Sequence, residues 1–128
     1  MTRARAAPGE KPLYWVRSSK HDLSAFPEAV KDGLGAALSV AQFGGKHPNA
    51  KPWKGEGTGV FEVVDNYRGD AYRAVYAVRF QHALYVLHGF QKNSPSGIKT
   101  ALSDVKVIRE RLKLAKLDYE ERYGETKK

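Results

Sequence analysis

The sequence contains no cysteine, so it can form neither disulfide bonds nor a thiolate nucleophile. Long apolar runs are also missing. The most apolar stretch, around residues 84–87, is far shorter than the roughly 20 residues that a membrane-spanning helix needs. Acidic residues are scarce, because 14 Asp and Glu face 22 Lys and Arg, which gives a net charge of +8. This imbalance predicts an anionic partner: nucleic acid, an acidic protein or an anionic membrane surface.

Motifs for metal binding and for export are missing as well. The four histidines are His21, His47, His82 and His88. Their spacings match no zinc pattern, so we expect neither a metal nor a cofactor. The first seven residues carry positive charge, but Pro8 and Gly9 follow where a signal peptide would have an apolar stretch. We therefore predict a cytoplasmic protein.

The chain has 128 residues, enough for one domain with one modest core. Residues 1–11 show no periodic pattern and are predicted to be a flexible basic leader. Residues 12–124 are predicted to be a single domain, and residues 125–128 a basic tail.

Hydrophobic periodicity predicts the order of helices and strands within that domain. Expected strands cover residues 13–16, 60–65, 72–80 and 83–90, and expected helices cover residues 19–26, 27–43 and 100–123. This β-α-α-β-β-β-α order predicts an α+β fold, in which a small antiparallel sheet carries helices packed on one face.

The expected strand at residues 72–80 is the most informative segment. Alternation puts Tyr72, Ala74 and Tyr76 on one face, which suits a core, and Arg73 and Arg79 on the other. Guanidinium groups match phosphate oxygens bidentately, so this second face could bind phosphate. The alternative is an exposed strand face with solubilising charges, and the spacing alone slightly favours that alternative.

Further basic residues occupy the loops around this sheet: Lys54, Arg68, Lys92 and Lys99. Each by itself is typical of a solvated surface, but together they suggest a basic cleft in which Trp53, Tyr67 and Tyr85 could stack on bases. His88 lies within the expected strand at residues 83–90, on the face of Leu84 and Val86. It could move protons near neutral pH, or it could be a hydrogen-bonded structural residue.

Several motifs resemble the core of the RelE/ParE superfamily, specifically its phage-derived HigB-like branch. They are Lys51-Pro-Trp-Lys-Gly-Glu-Gly-Thr-Gly59, Gly59-Val-Phe-Glu-Val63, Tyr72-Arg-Ala-Val-Tyr76 and Leu84-Tyr-Val-Leu-His-Gly-Phe-Gln-Lys-Asn-Ser94. The resemblance covers roughly residues 11 to 118, and the expected order of elements agrees with it. It implies the toxin of a type II toxin–antitoxin pair, held silent by a helix-turn-helix antitoxin.

The resemblance also implies an activity and its site residues. Such toxins often cut mRNA, frequently on the ribosome and without metal, by directing the 2′-OH at the adjacent phosphate. Arg73 would then stabilise the transition state, His88 would move a proton, and Lys92 would complete the catalytic set. Lys54, Arg68, Arg79 and Lys99 would bind RNA.

Two departures from the family pattern keep other functions open. Val64 stands where members often have an arginine, and Asn93 stands where they have a second lysine. One alternative is a ParE-like gyrase inhibitor without catalysis. Another is a degenerate toxin that serves as an antitoxin-binding module.

Overall fold

The computed structural model describes residues 2–3, 8–92 and 102–124. The elements in chain order are β1 (Thr2–Arg3), β2 (Leu13–Trp15), α1 (Ser19–Ser24), α2 (Glu28–Gln42), β3 (Ala50–Pro52), β4 (Val60–Tyr67), β5 (Asp70–Ala77), β6 (Leu84–Lys92) and α3 (Leu102–Tyr123). The α+β class and the predicted order of the main elements are confirmed. β1 and β3 are two short strands that the periodicity did not predict. Arg79 lies beyond the end of β5, which is shorter than expected.

The described strands form one six-stranded sheet in the order β1-β2-β6-β5-β4-β3. The predicted antiparallel meander β4-β5-β6 is confirmed. The prediction of a wholly antiparallel sheet is wrong, because β2 pairs with β6 in parallel. Short connections join the meander strands, so each strand runs opposite to the one before it. β2 and β6 are instead separated by two helices and three strands, so no short turn sets their relative direction.

Helices cover both faces of the sheet, so the prediction that they pack on one face is wrong. α1 and α2 pack on one face, against side chains that include Tyr72, Ala74 and Tyr76. α3 packs on the other face, against Val75 and Ala77. The reason is visible in β6, where residues 83–90 are all buried. Such a continuous apolar run needs a cover on each side.

The turn between β4 and β5 is a two-residue hairpin loop of Arg68 and Gly69. Both residues have positive φ angles, 51° for Arg68 and 87° for Gly69. This is the backbone of a type I′ turn, whose twist matches that of the paired strands. The expectation that Arg68 lies in a loop next to the sheet is therefore confirmed.

Gly89 allows α1 to lie directly on the sheet. A Cβ atom at this position would come within 2.0 Å of Leu23 Cδ1 and 3.1 Å of Leu23 Cγ. Leu23 is itself buried in the core between α1 and the sheet. Any larger residue at position 89 would therefore push α1 outward.

We predict that Gly89→Ala lowers the free energy of unfolding by about 1–3 kcal/mol, the usual cost of overpacking a core. Gly35→Ala is the matched control, since Gly35 lies exposed in α2 and an added Cβ would have nothing within 4 Å. That control should stabilise the protein by roughly 0.5–1 kcal/mol through helix propensity. Urea denaturation measures both, and an unchanged midpoint for Gly89→Ala would contradict the packing described.

Candidate functional site

A β-bulge in β6 determines which side chains face α3. Val75 pairs with His88 while the next residue, Tyr76, pairs with Val86, so Leu87 is an extra residue in β6. Strict alternation had placed His88 with Leu84 and Val86. The bulge instead turns His88 onto the face of Val75, which is also the face of Arg73.

Arg111 of α3 holds this bulge in place. Its Nη1 donates a hydrogen bond of 3.0 Å to the carbonyl oxygen of Leu87, the extra residue. Its Nη2 donates to Ser18 Oγ at 3.0 Å, just before α1. The guanidinium group thus donates to a buried backbone carbonyl that the interrupted ladder leaves without a strand partner. It also connects α3 to the beginning of α1.

Arg73 is not on an open face, as the sequence had suggested. Its Nη1 forms an ion pair with Glu62 Oε1 of β4, and the two side chains are only 12% and 10% exposed. Glu62 was not among the predicted site residues. The sequence did contain a signal for it, because Glu62 is a carboxylate between apolar residues of a predicted strand. A charge that is buried there requires a partner of opposite charge.

His88 forms the second polar contact on this face. Its Nε2 lies 2.8 Å from Asp104 Oδ1 in the first turn of α3. Its ring stacks on that of Phe90, with 4.9 Å between centroids. The buried Nδ1 has no hydrogen-bond partner among the described residues. When the neutral ring donates the hydrogen bond from its Nε2–H to Asp104, Nδ1 carries the lone pair.

Asp104 was also missing from the sequence prediction, although a signal for it existed. It lies four residues before Ile108, which begins the buried stripe of α3. Residues four apart share a helix face, so Asp104 belongs to the side that meets the sheet. A carboxylate at the end of an apolar stripe indicates a polar partner below it.

Together these contacts place a guanidinium and an imidazole on one sheet face, each held by a carboxylate. A guanidinium can stabilise negative charge on phosphate oxygens, and an imidazole can transfer protons. Both groups are largely buried, and the Nε of Arg73 has no partner in the described part of the chain.

The predicted RNA-binding residues do not converge. Lys54 and Arg79 are exposed near the beginning of β4, where Arg79 Nη2 donates to the carbonyl oxygen of Glu56. Arg68 is exposed at the opposite end of the hairpin, roughly 25 Å away at about 3.4 Å per residue along β4. The side chain of Lys92, the whole of Lys99 and the predicted tail at 125–128 lie outside the described residues.

The aromatic residues expected to stack on bases are mostly in the core. Trp53 and Tyr85 are buried beneath α3. Burial raises the pKa of Tyr85, and its hydrogen bond to Asp118 raises that pKa further, so its phenol stays protonated. Tyr67 alone of the three is partly accessible, beside the guanidinium of Arg68.

The described residues contain no group of three or more His, Asp and Glu side chains that could hold a metal ion. None of the helices in this part of the chain combines the length and the apolar character that a membrane span requires.

The chain is similar to a known protein family. The model of the family described as phage derived protein Gp49-like (DUF891) matches residues 21–113. This range includes the meander, the bulge, and the carboxylates of Glu62 and Asp104 that contact Arg73 and His88. A search of curated proteins found no match.

We predict that Arg111→Met destabilises the protein by about 1–3 kcal/mol, because the buried carbonyl of Leu87 loses its donor. The matched control is Lys116→Met on the same helix, where an exposed side chain pairs with Glu120 four residues away. The control should cost no more than about 0.5 kcal/mol. Nuclear magnetic resonance of the His88 ring should show shifted signals in Arg111→Met and native signals in the control. Native His88 signals in both variants would show that Arg111 does not maintain the bulge.

Proposed function

Because the chain belongs to the phage-derived Gp49-like family, a family of RelE-like toxins of toxin–antitoxin systems, we propose that it is a type II toxin of the HigB-like branch that cleaves mRNA. The family points to an antitoxin as partner, which we take to carry a helix-turn-helix domain. The proposed site of action is the cytoplasm, where mRNA is translated.

The observation that supports cleavage is the presence of Arg73 and His88 on one face of two adjacent strands. Cross-strand register makes Arg73 the neighbour of Phe90, two residues from His88. Glu62 and Asp104 fix the two groups from opposite sides, one from β4 and one from α3. Side chains held in this way supply preorganised charge and proton transfer.

In the proposed reaction, the 2′-oxygen of RNA forms a bond to the adjacent phosphorus and the bond from phosphorus to the 5′-oxygen breaks. His88 accepts the proton of the 2′-OH at Nδ1, while Asp104 orients the ring through Nε2 and stabilises the imidazolium that forms. Arg73 donates hydrogen bonds to the phosphate oxygens as negative charge develops on them. The 5′-oxygen leaves with a proton, which the imidazolium can return.

The proposed contacts to RNA lie around this face. Lys54 and Arg79 would hold phosphates near the beginning of β4, and Arg68 would hold a more distant one at the hairpin tip. Lys92 and Lys99, which flank the connection between β6 and α3 along the chain, are proposed to contribute further positive charge. The reaction needs no metal, because a guanidinium supplies the charge and an imidazole transfers the proton.

The burial of the Arg73–Glu62 and His88–Asp104 contacts favours a second candidate function. Arg73 and His88 already have carboxylate partners, and their side chains are 12% and 11% exposed. If these pairs serve only to hold the fold together, the chain acts by binding, either as a gyrase inhibitor or as an antitoxin-binding module. RNA cleavage requires that substrate reach these groups, whereas binding does not.

We predict that the double variant Glu62→Leu/Arg73→Met stays folded and loses RNA cleavage by about 100-fold or more. Arg73→Ala alone is a poor test, because it leaves buried Glu62 without a counter-charge at a cost of about 3–5 kcal/mol. Replacing both partners with apolar residues of similar size is often neutral or stabilising. The double variant therefore separates loss of the guanidinium from loss of the fold.

The measurements are cleavage of an mRNA by purified protein, growth arrest on induction, and urea denaturation as the folding control. A folded double variant that still cleaves RNA and arrests growth would exclude Arg73 from the reaction. The same preparations are assayed for inhibition of gyrase supercoiling. Gyrase inhibition by wild type and double variant alike, without RNA cleavage, would establish the second candidate instead.

We predict that His88→Gln lowers the rate of RNA cleavage by about 10²–10⁴-fold, the range for loss of a general acid–base group. Glutamine can still donate a hydrogen bond to Asp104, but it has no lone pair in the position of Nδ1. His82→Gln is the matched control, since His82 lies exposed in the turn before β6. Equal cleavage rates for the two folded variants would remove His88 from the mechanism.

A further inference from the structure

A half-open pocket of about 290 Å³ lies on the α2 side of the sheet, opposite the face that carries Arg73 and His88. Phe61, Tyr76 and Val78 form its apolar walls, and the end of α2 forms one side. Lys11 and Lys46 also line it, so two basic residues border a mostly apolar pocket. This combination suits an apolar side chain accompanied by negative charge.

Lys11 is fixed at this position through its backbone. Its N–H donates to the carbonyl oxygen of Gln42, and its own carbonyl accepts from Gln42 Nε2, both at 2.8 Å. Gln42 is buried at the end of α2. The second ammonium, that of Lys46, lies 5.8 Å from the centre of the Phe61 ring. The Lys11 backbone is therefore anchored beside the pocket, and the Lys46 ammonium lies over one of its aromatic walls.

An exposed apolar patch adjoins the pocket at the end of α2. Val40 and Phe43 are 37% and 56% exposed, and they lie three residues apart, on one side of the helix. Between and after them come Ala41, Gly44 and Gly45, all of which line the pocket. A positive φ of 89° at Gly44 ends the helix there and leaves Phe43 at its outer edge.

Tyr76 adds a hydrogen-bond donor to the pocket wall. Burial raises the pKa of its phenol from 10.0 to about 12, so the hydroxyl stays protonated at neutral pH. The lining thus offers one neutral donor and two cations. Among the pocket-lining side chains no carboxylate competes with a bound anion.

We propose that this surface, defined by Val40, Phe43, Phe61, Lys11 and Lys46, is where the antitoxin docks, through a segment that carries an apolar anchor flanked by carboxylates. The anchor fills the pocket beside Phe43, and the carboxylates meet the two lysines. Charge complementarity with a chain of net charge +8 supports this occupant over a second copy of the same basic chain. The inference rests on the proposed toxin function and names the surface for its partner.

The position of the surface has a consequence for neutralisation. The docking surface and the Arg73–His88 face lie on opposite sides of the sheet, so substitutions at the docking surface leave the proposed catalytic groups untouched. Binding of the antitoxin and toxicity can therefore be separated by mutation.

The test uses the full chain and the protein encoded by the neighbouring gene, with affinity measured by calorimetry. Phe43→Asp and Lys46→Glu should each weaken binding by roughly tenfold or more, as expected for residues near the centre of an interface. The matched controls are Leu117→Asp and Lys113→Glu, a similar exposed pair on α3. Their dissociation constants should stay within about threefold of wild type. Tenfold corresponds to about 1.4 kcal/mol, so this is a change in binding free energy of less than about 0.7 kcal/mol. Expressed without the antitoxin, Phe43→Asp and Lys46→Glu should arrest growth as wild type does, and co-expression of the antitoxin should no longer rescue growth.

Wild-type affinity for Phe43→Asp and Lys46→Glu would overturn the proposal, as would weakened binding confined to the α3 controls. Formation of a homodimer that Phe43→Asp abolishes, with unchanged antitoxin binding, would assign the surface to a second copy instead. Failure of the proposed RNA cleavage has a separate signature. In that case wild type would cut no RNA, yet Phe43→Asp would still lose the antitoxin.

Discussion

One extra residue in β6 determines which side chains can meet in this protein. Leu87 interrupts the pairing with β5, and every residue after it changes sides relative to simple alternation. His88 and Phe90 therefore face α3 together with Arg73, while Gly89 faces α1. Arg111 satisfies the carbonyl that the bulge exposes. The packing of α1 and the composition of the candidate site both depend on this local irregularity.

Two largely buried polar contacts share the face that the bulge creates: the Arg73–Glu62 ion pair and the His88–Asp104 hydrogen bond. Removing charges from water is costly, and apolar residues of similar volume often give an equal or more stable fold. Stability alone therefore does not account for an arginine, a histidine and two carboxylates between a sheet and a helix. Buried polar groups that are held by specific partners in this way are common at functional sites. The proposed reaction gives each of the four groups a role that an apolar residue could not fill.

The two faces of the sheet carry different features. α3 covers the face with Arg73 and His88, and α1 and α2 cover the face that contains the lysine-bordered pocket. A rigid sheet between the two surfaces lets each one change without the other. Under the two proposals, the reactive groups lie in one layer and the partner surface lies in the other.

The sequence by itself determined the main helices and strands and most of the core pattern. Alternation in β5, the helical stripe of α3 and the Arg68–Gly69 turn are local, and local physics fixes strands, helices and tight turns. The resemblance of the motifs also led to the RelE-like toxins, among which is the Gp49-like family that matches residues 21–113, whereas the HigB-like branch stays a prediction. Tertiary structure alone decided the parallel pairing of β2, the cover on both faces and the partners of Arg73 and His88. Each of these depends on contacts between distant segments, and the bulge at Leu87 is stabilised by a helix that begins 15 residues later in the chain. The alternation of residues within β6 contains no sign of this contact with α3. Simple alternation therefore placed His88 on the wrong face.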